Sequence, residues 1–188
     1  MNSQSIYYLP GRGGRLKTGL GAELISRGFD VTGRQTTGEF KGLPFSDQIA
    51  IIADDLTTNF WQEESRVVAN SFGAYLFLNA QTLIKPYVGR VLLLSPIVGE
   101  FSREDIGLGF IPPHSGRLAQ LAECGKYPTP QHCEIYVGEF DWQSNAGNVT
   151  KLAALLGLSA TVVTGGKHIL DKRYVSTVLD RWLGFKMP

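Results

Sequence analysis

The sequence predicts an α/β fold, a three-layer α/β/α sandwich on a mainly parallel sheet of about six strands. Two observations carry this. Short runs rich in β-branched and aromatic residues alternate with helix-length amphipathic stretches, the pattern of repeated right-handed βαβ crossovers. Several of the short runs, Val91-Leu92-Leu93-Leu94 among them, are apolar at every position, as strands buried on both faces of a parallel sheet are.

Taken in order, the first strand is expected over 6–9, where Ile6-Tyr7-Tyr8-Leu9 runs into Pro10. A helix over 16–27 follows and stops at Gly28. The second strand falls over 29–33 and the next helix over 47–59. The third strand, 66–69, leads through Asn70-Ser71 into a helix over 74–84, which Pro86 bars from continuing. The fourth and fifth strands fall over 90–94 and 134–137, and a helix over 146–156 ends before Gly157. The sixth strand, 160–163, precedes a helix over 172–183, in which Tyr174, Val178, Leu179, Trp182 and Leu183 recur at three- and four-residue steps. One stretch breaks the alternation. The segment 97–131 is rich in proline and glycine and offers a single short helical candidate at 115–123. A loop this long inside a compact domain is usually functional, and here it leaves the end of the fourth strand, where a short lid would be useful.

A chain of 188 residues suits one domain spanning 1–188, and no repeat or linker divides it. Its 18 basic and 17 acidic residues are spread along the chain, so there is no basic block to track a nucleic-acid backbone. No apolar stretch approaches the ~20 residues of a membrane helix. Met1-Asn2-Ser3-Gln4-Ser5 carries no basic leader region, and the expectation is a cytoplasmic protein with a small-molecule substrate. Cys124 and Cys133 lack a matching histidine cluster and are expected to be free thiols. No metal or organic cofactor is expected, and the sequence leaves the oligomeric state open.

Acyl transfer by serine needs an exposed hydroxyl, a base to take its proton, an acid to orient the base and donors for the oxyanion. Ser71 follows an apolar strand and precedes a helix, as a nucleophile elbow requires. Such an elbow needs small residues two positions before and after the serine; Gly73 meets this, and Ala69 stands where glycine is usual. The fifth strand leads into Gly138-Glu139-Phe140-Asp141 and the sixth into Gly165-Gly166-Lys167-His168. Ser71, Asp141 and His168 therefore each follow a strand, at the sheet edge where ligands bind, in the order Ser…Asp…His. Glu139 is the alternative acid, and His114 and His132 are weaker candidates for the base. The loop Leu9-Pro10-Gly11-Arg12-Gly13-Gly14 lets backbone approach a reacting carbonyl, which offers the N–H groups of Arg12 and Phe72 as the oxyanion pair. Gly11, Phe110 and Trp142 are candidate substrate-binding residues, the aromatic pair lying beneath the expected lid or simply packing it down.

On these motifs the chain resembles the compact serine hydrolases of α/β-hydrolase type, close in plan to the retinoblastoma-binding-protein-9/YdeN-like group. Pro10-Gly11-Arg12-Gly13-Gly14 takes the place of that group's His-Gly oxyanion loop and Ala69-Asn70-Ser71-Phe72-Gly73 that of its elbow, with Asp141 and His168 as acid and base. The resemblance implies a central elbow strand and absence of the first two antiparallel strands of larger members; the expected reaction is cleavage of an ester of a small or medium acyl group, with thioesters and amides left open. Two other readings compete. Gly11-Arg12-Gly13-Gly14-Arg15-Leu16-Lys17-Thr18 matches a phosphate-binding loop except that Leu16 replaces its second glycine, and Asp54 and Asp55 could be offered as metal carboxylates. The same Leu16 breaks a dinucleotide fingerprint. Alternatively, the fold could serve as a non-enzymatic interaction module.

Overall fold

The structure, a computed structural model, describes residues 4–185; the reading of the first three residues as lacking a leader lies outside that span. In chain order the strands are β1 (Ser5–Leu9), β2 (Asp30–Gly33), β3 (Arg66–Asn70), β4 (Arg90–Leu94), β5 (Phe101–Arg103), β6 (Leu108–Phe110), β7 (His132–Gly138) and β8 (Ala160–Val163). The helices are α1 (Leu20–Ser26), α2 (Gly38–Gly42), α3 (Phe45–Asn59), α4 (Phe72–Gln81), α5 (Arg117–Glu123), α6 (Ala146–Leu155) and α7 (Lys172–Leu183). Six strands form one sheet in the order β2-β1-β3-β4-β7-β8, parallel at every pairing. The expected sandwich is present, and its sheet is wholly rather than mainly parallel.

The two-residue period of the strands divides the core between two helical layers. Tyr7, Leu9, Val67, Ala69, Val91 and Leu93 turn to the face covered by α3, α4 and α6. Their neighbours Ile6, Tyr8, Val68 and Leu92 turn to the other face, where Leu24 of α1 and Val178, Leu179 and Trp182 of α7 cover them. This is why the strand sequences are apolar at successive positions. Helix α4 has every residue from Gly73 to Gln81 buried, because it lies between the sheet and its neighbour α3.

The main differences from expectation lie in three regions. Helix α1 begins at Leu20, not 16, because Gly19 takes φ 53° at its N-cap and Leu16 packs into the core as part of the preceding loop. The five-residue α2 is too short to show a helical period. Within 97–131, β5 and β6 form an antiparallel hairpin turned at Gly107, ahead of the expected short helix α5. Late initiation of α1 also removes the phosphate-loop reading, since Lys17 and Thr18 precede the helix they would have to open. Asp55 lies on α3, bonded to both Arg34 Nε and Nη2 at 2.6 Å and to the Tyr7 hydroxyl, a structural role; Asp54 is exposed beside it. Cys124 and Cys133 are free, and among the described residues no helix is long and apolar enough to cross a membrane.

Candidate active site

Because all six strands run parallel, the loops leaving β1, β3, β7 and β8 emerge on one edge of the sheet. Ser71 sits directly between β3 and α4 with φ 52° and ψ −120°, a conformation that costs a non-glycine residue of order 1–3 kcal/mol. Its surroundings hold it there. The Ser71 N–H donates to Leu94 O at 3.0 Å, and its carbonyl accepts from Tyr75 N at 3.2 Å and Ile97 N at 3.3 Å. Tight packing under the elbow explains the small residues beside it. A Cβ on Gly73 would stand 2.1 Å from Leu9 O, and Ala69, fully buried between Leu9 and Leu93, fits with its single methyl.

The serine hydroxyl lies 2.8 Å from His168 Nε2, and His168 Nδ1 lies 3.0 Å from both carboxylate oxygens of Asp141. Asp141 is buried at the turn after β7, where Oδ1 accepts from the N–H of Gln143 at 3.0 Å and of Ser144 at 2.9 Å. Burial by itself raises its pKa. The hydrogen bonds from His168, Ser144 and Gln143 outweigh that and hold the carboxyl below its ordinary range, so it stays ionised beside the imidazole. Ser144 was not visible as a site residue in the sequence. Its hydroxyl donates to Ser95 O at 2.7 Å and lies 3.4 Å from His168 Nδ1, tying the acid turn to the end of β4.

The alternatives lie elsewhere. Glu139 is exposed, and its Oε2 accepts from Gly165 N at 2.8 Å, linking the two loops at the sheet edge without reaching the imidazole. His114 packs its ring edge-on to Phe45 at 5.3 Å, and His132 opens β7 at the opposite end of the sheet.

Gly11 approaches Ser71 closely: a Cβ there would lie 3.2 Å from Ser71 Cβ and 3.1 Å from Asn70 Nδ2. Asn70, also missed in the sequence, accepts from the Tyr8 hydroxyl at 2.9 Å. Phe72 is the first residue of α4, and the first helical bond comes from Tyr75, so the Phe72 N–H has no acceptor within the helix. The Arg12 guanidinium stands 5.0 Å over the ring of Phe110. A cleft of about 440 Å³ opens on Ser71 and His168 between the glycine loop and the start of α7, and Gly11 lines it. Phe110 and Trp142 are placed differently. With Phe72 and Phe101 they form an aromatic cluster, ring centroids 5.5–6.0 Å apart, which seats the β5–β6 hairpin on the site.

Comparison with known proteins adds the following. No protein-family model matches the chain, and no curated protein matches it. Solved structures do. The YdeN gene product of B. subtilis is 14% identical, with a TM-score of 0.67 over 96% of this chain and 99% of its own. Esterase PE8 is 12% identical, with a TM-score of 0.61 over 98% and 93%. A Xanthomonas campestris protein assigned to hydrolases of the alpha/beta superfamily is 15% identical, with a TM-score of 0.59 over 96% and 98%. At these identities the likeness is one of fold: the chain has the compact α/β-hydrolase fold.

Proposed function

We propose that this chain, which has the α/β-hydrolase fold, is a serine hydrolase that cleaves an ester, thioester or amide of a small or medium acyl group. The observation that carries the reading is the unbroken relay from Ser71 Oγ to His168 Nε2 at 2.8 Å and from His168 Nδ1 to Asp141 at 3.0 Å. A serine, a histidine and a buried carboxylate in this relation have one well-understood use.

His168 Nε2 takes the proton as Ser71 Oγ attacks the carbonyl carbon, and the carbonyl π electrons move onto oxygen. Asp141 keeps the Nδ1 proton in place and stabilises the imidazolium. The Phe72 and Arg12 N–H groups stabilise the oxyanion, each worth about 3–4 kcal/mol in the transition state. Collapse of the tetrahedral species expels the leaving group, which receives the proton from His168, and leaves an acyl ester on Ser71. A water molecule, deprotonated by His168, then attacks that ester and releases the acid with Ser71 restored. The hairpin over Phe72 shields the acyl-enzyme from bulk water.

A series of p-nitrophenyl esters of increasing chain length tests this. Turnover is expected for short and medium acyl chains and is expected to disappear in Ser71→Ala. Hydrolysis that survives the substitution would remove the reading.

A further inference from the structure

We propose that the cleft beside Ser71 selects substrates that carry an anionic group, a carboxylate or a phosphate, a few bonds from the scissile carbonyl. The proposal rests on the serine-hydrolase reading for its chemistry, but the selectivity is written in residues outside the triad. Apart from the residues around Ser71 and His168, the loop after β1 and the first turns of α7 wall the cleft, joined by Leu20 and Glu23 of α1. Leu20, Val175 and Leu179 supply apolar surface, while Arg12 and Arg15 from one segment and Lys172 from the other are exposed at its rim.

Among the described residues none of these cations has an anionic partner, and the Arg12 guanidinium lies over the ring of Phe110. No ion pair among the described residues includes Arg12, Arg15 or Lys172. The acidic residue in the cleft wall, Glu23, is already bound to Arg27 Nη1 at 3.0 Å. Asp171, next to Lys172, directs Oδ1 to the N–H groups of Arg173 and Tyr174 as the cap of α7. A chain with a net charge of +1 thus places three unpaired positive charges around one opening, and a low-dielectric cleft focuses such a field on what enters it.

The second observation is Ser95, which also lines the cleft. It is buried with 4% exposure and held at φ 45°, and its Oγ has no hydrogen-bond partner among the described residues. Buried hydroxyls are nearly always satisfied, so this one marks an unsatisfied polar group within a residue that lines the cleft. A purely apolar acyl chain would make no use of the three cations; an anionic substrate would.

The test measures binding separately from turnover. Methyl hydrogen glutarate, methyl 4-phosphonobutanoate and neutral methyl pentanoate are titrated into the Ser71→Ala protein by NMR. At least one anionic ester is expected to bind at least about tenfold tighter than the neutral one, and the tighter of the two identifies the anion. Raising salt from about 0.05 M to about 0.5 M should weaken the anionic ester and leave the neutral one unmoved. In Ser71→Ala carrying Arg15→Ala and Lys172→Ala, the advantage should fall below about threefold. Equal binding of all three esters, absence of binding by all three, or an advantage that ignores both salt and the two substitutions would overturn the proposal. Turnover of the same esters by wild type keeps the two claims apart. An anionic binding preference without turnover upholds the cleft and removes the hydrolase reading; turnover without preference does the reverse.

Discussion

Asp141→Asn is expected to lower kcat by about 10⁴-fold, while Glu139→Gln is expected to lose less than about threefold. The size follows from the tautomer. Asp141 Oδ1 accepts from two backbone N–H groups, and an asparagine would keep its carbonyl oxygen on those donors. Its amide nitrogen would then face His168 Nδ1, at a contact that is 3.0 Å in the native protein. An N–H group there can only donate, so Nδ1 must accept and the ring proton moves to Nε2. The nitrogen beside Ser71 can then no longer take the hydroxyl proton. Glu139 makes no such contact, and its carboxylate serves the Gly165 backbone. Steady-state kinetics on a p-nitrophenyl ester measure both variants, and a large loss in Glu139→Gln with little in Asp141→Asn would transfer the role.

Gly73→Ala is expected to destabilise the protein by more than about 4 kcal/mol, at the extreme of single substitutions. The added methyl would meet Leu9 O at 2.1 Å, Leu9 C at 2.5 Å and Pro10 O at 2.5 Å, all backbone atoms of β1 and its loop. No rotamer change relieves such a clash, so α4 must separate from the sheet. That movement carries Ser71 and the Phe72 N–H with it, and activity should fall together with stability. Gly42→Ala, where a Cβ would meet no atom within 4 Å, serves as the control and should stay within about 0.5 kcal/mol. Denaturant unfolding of the two variants decides between a packing requirement and mere conformational preference.

The sheet was legible because its central strands are buried on both sides, and Val91-Leu92-Leu93-Leu94 can be little else. The grouping of Ser71, His168 and Asp141 was legible for a related reason. When strands are parallel, any residue just beyond a strand lies on one edge, so chain position alone brings Ser71, Asp141 and His168 together. What escaped was short or depended on tertiary contact. Strands of three residues, such as β5 and β6, show no period, and their pairing hinges on Gly107 in the left-handed region. Helix α1 reads as amphipathic from residue 16, but Gly19 delays it, and no local pattern announces that Leu16 anchors the loop in the core. Ser144 carried a faint signal, an Asp three residues earlier able to accept its backbone N–H. Ser95 carried none, because its relation to the cleft comes from the β4–β7 pairing and the return of α7.

Covalent labelling by a fluorophosphonate tests Ser71 as nucleophile most directly, since the reagent reacts with a serine activated by its own base. Folded wild-type protein is expected to take up one label, mapped by mass spectrometry to the peptide containing Ser71, and Ser71→Ala none. A folded wild type that stays unlabelled, or a label that persists in Ser71→Ala, would contradict the assignment of Ser71 as nucleophile.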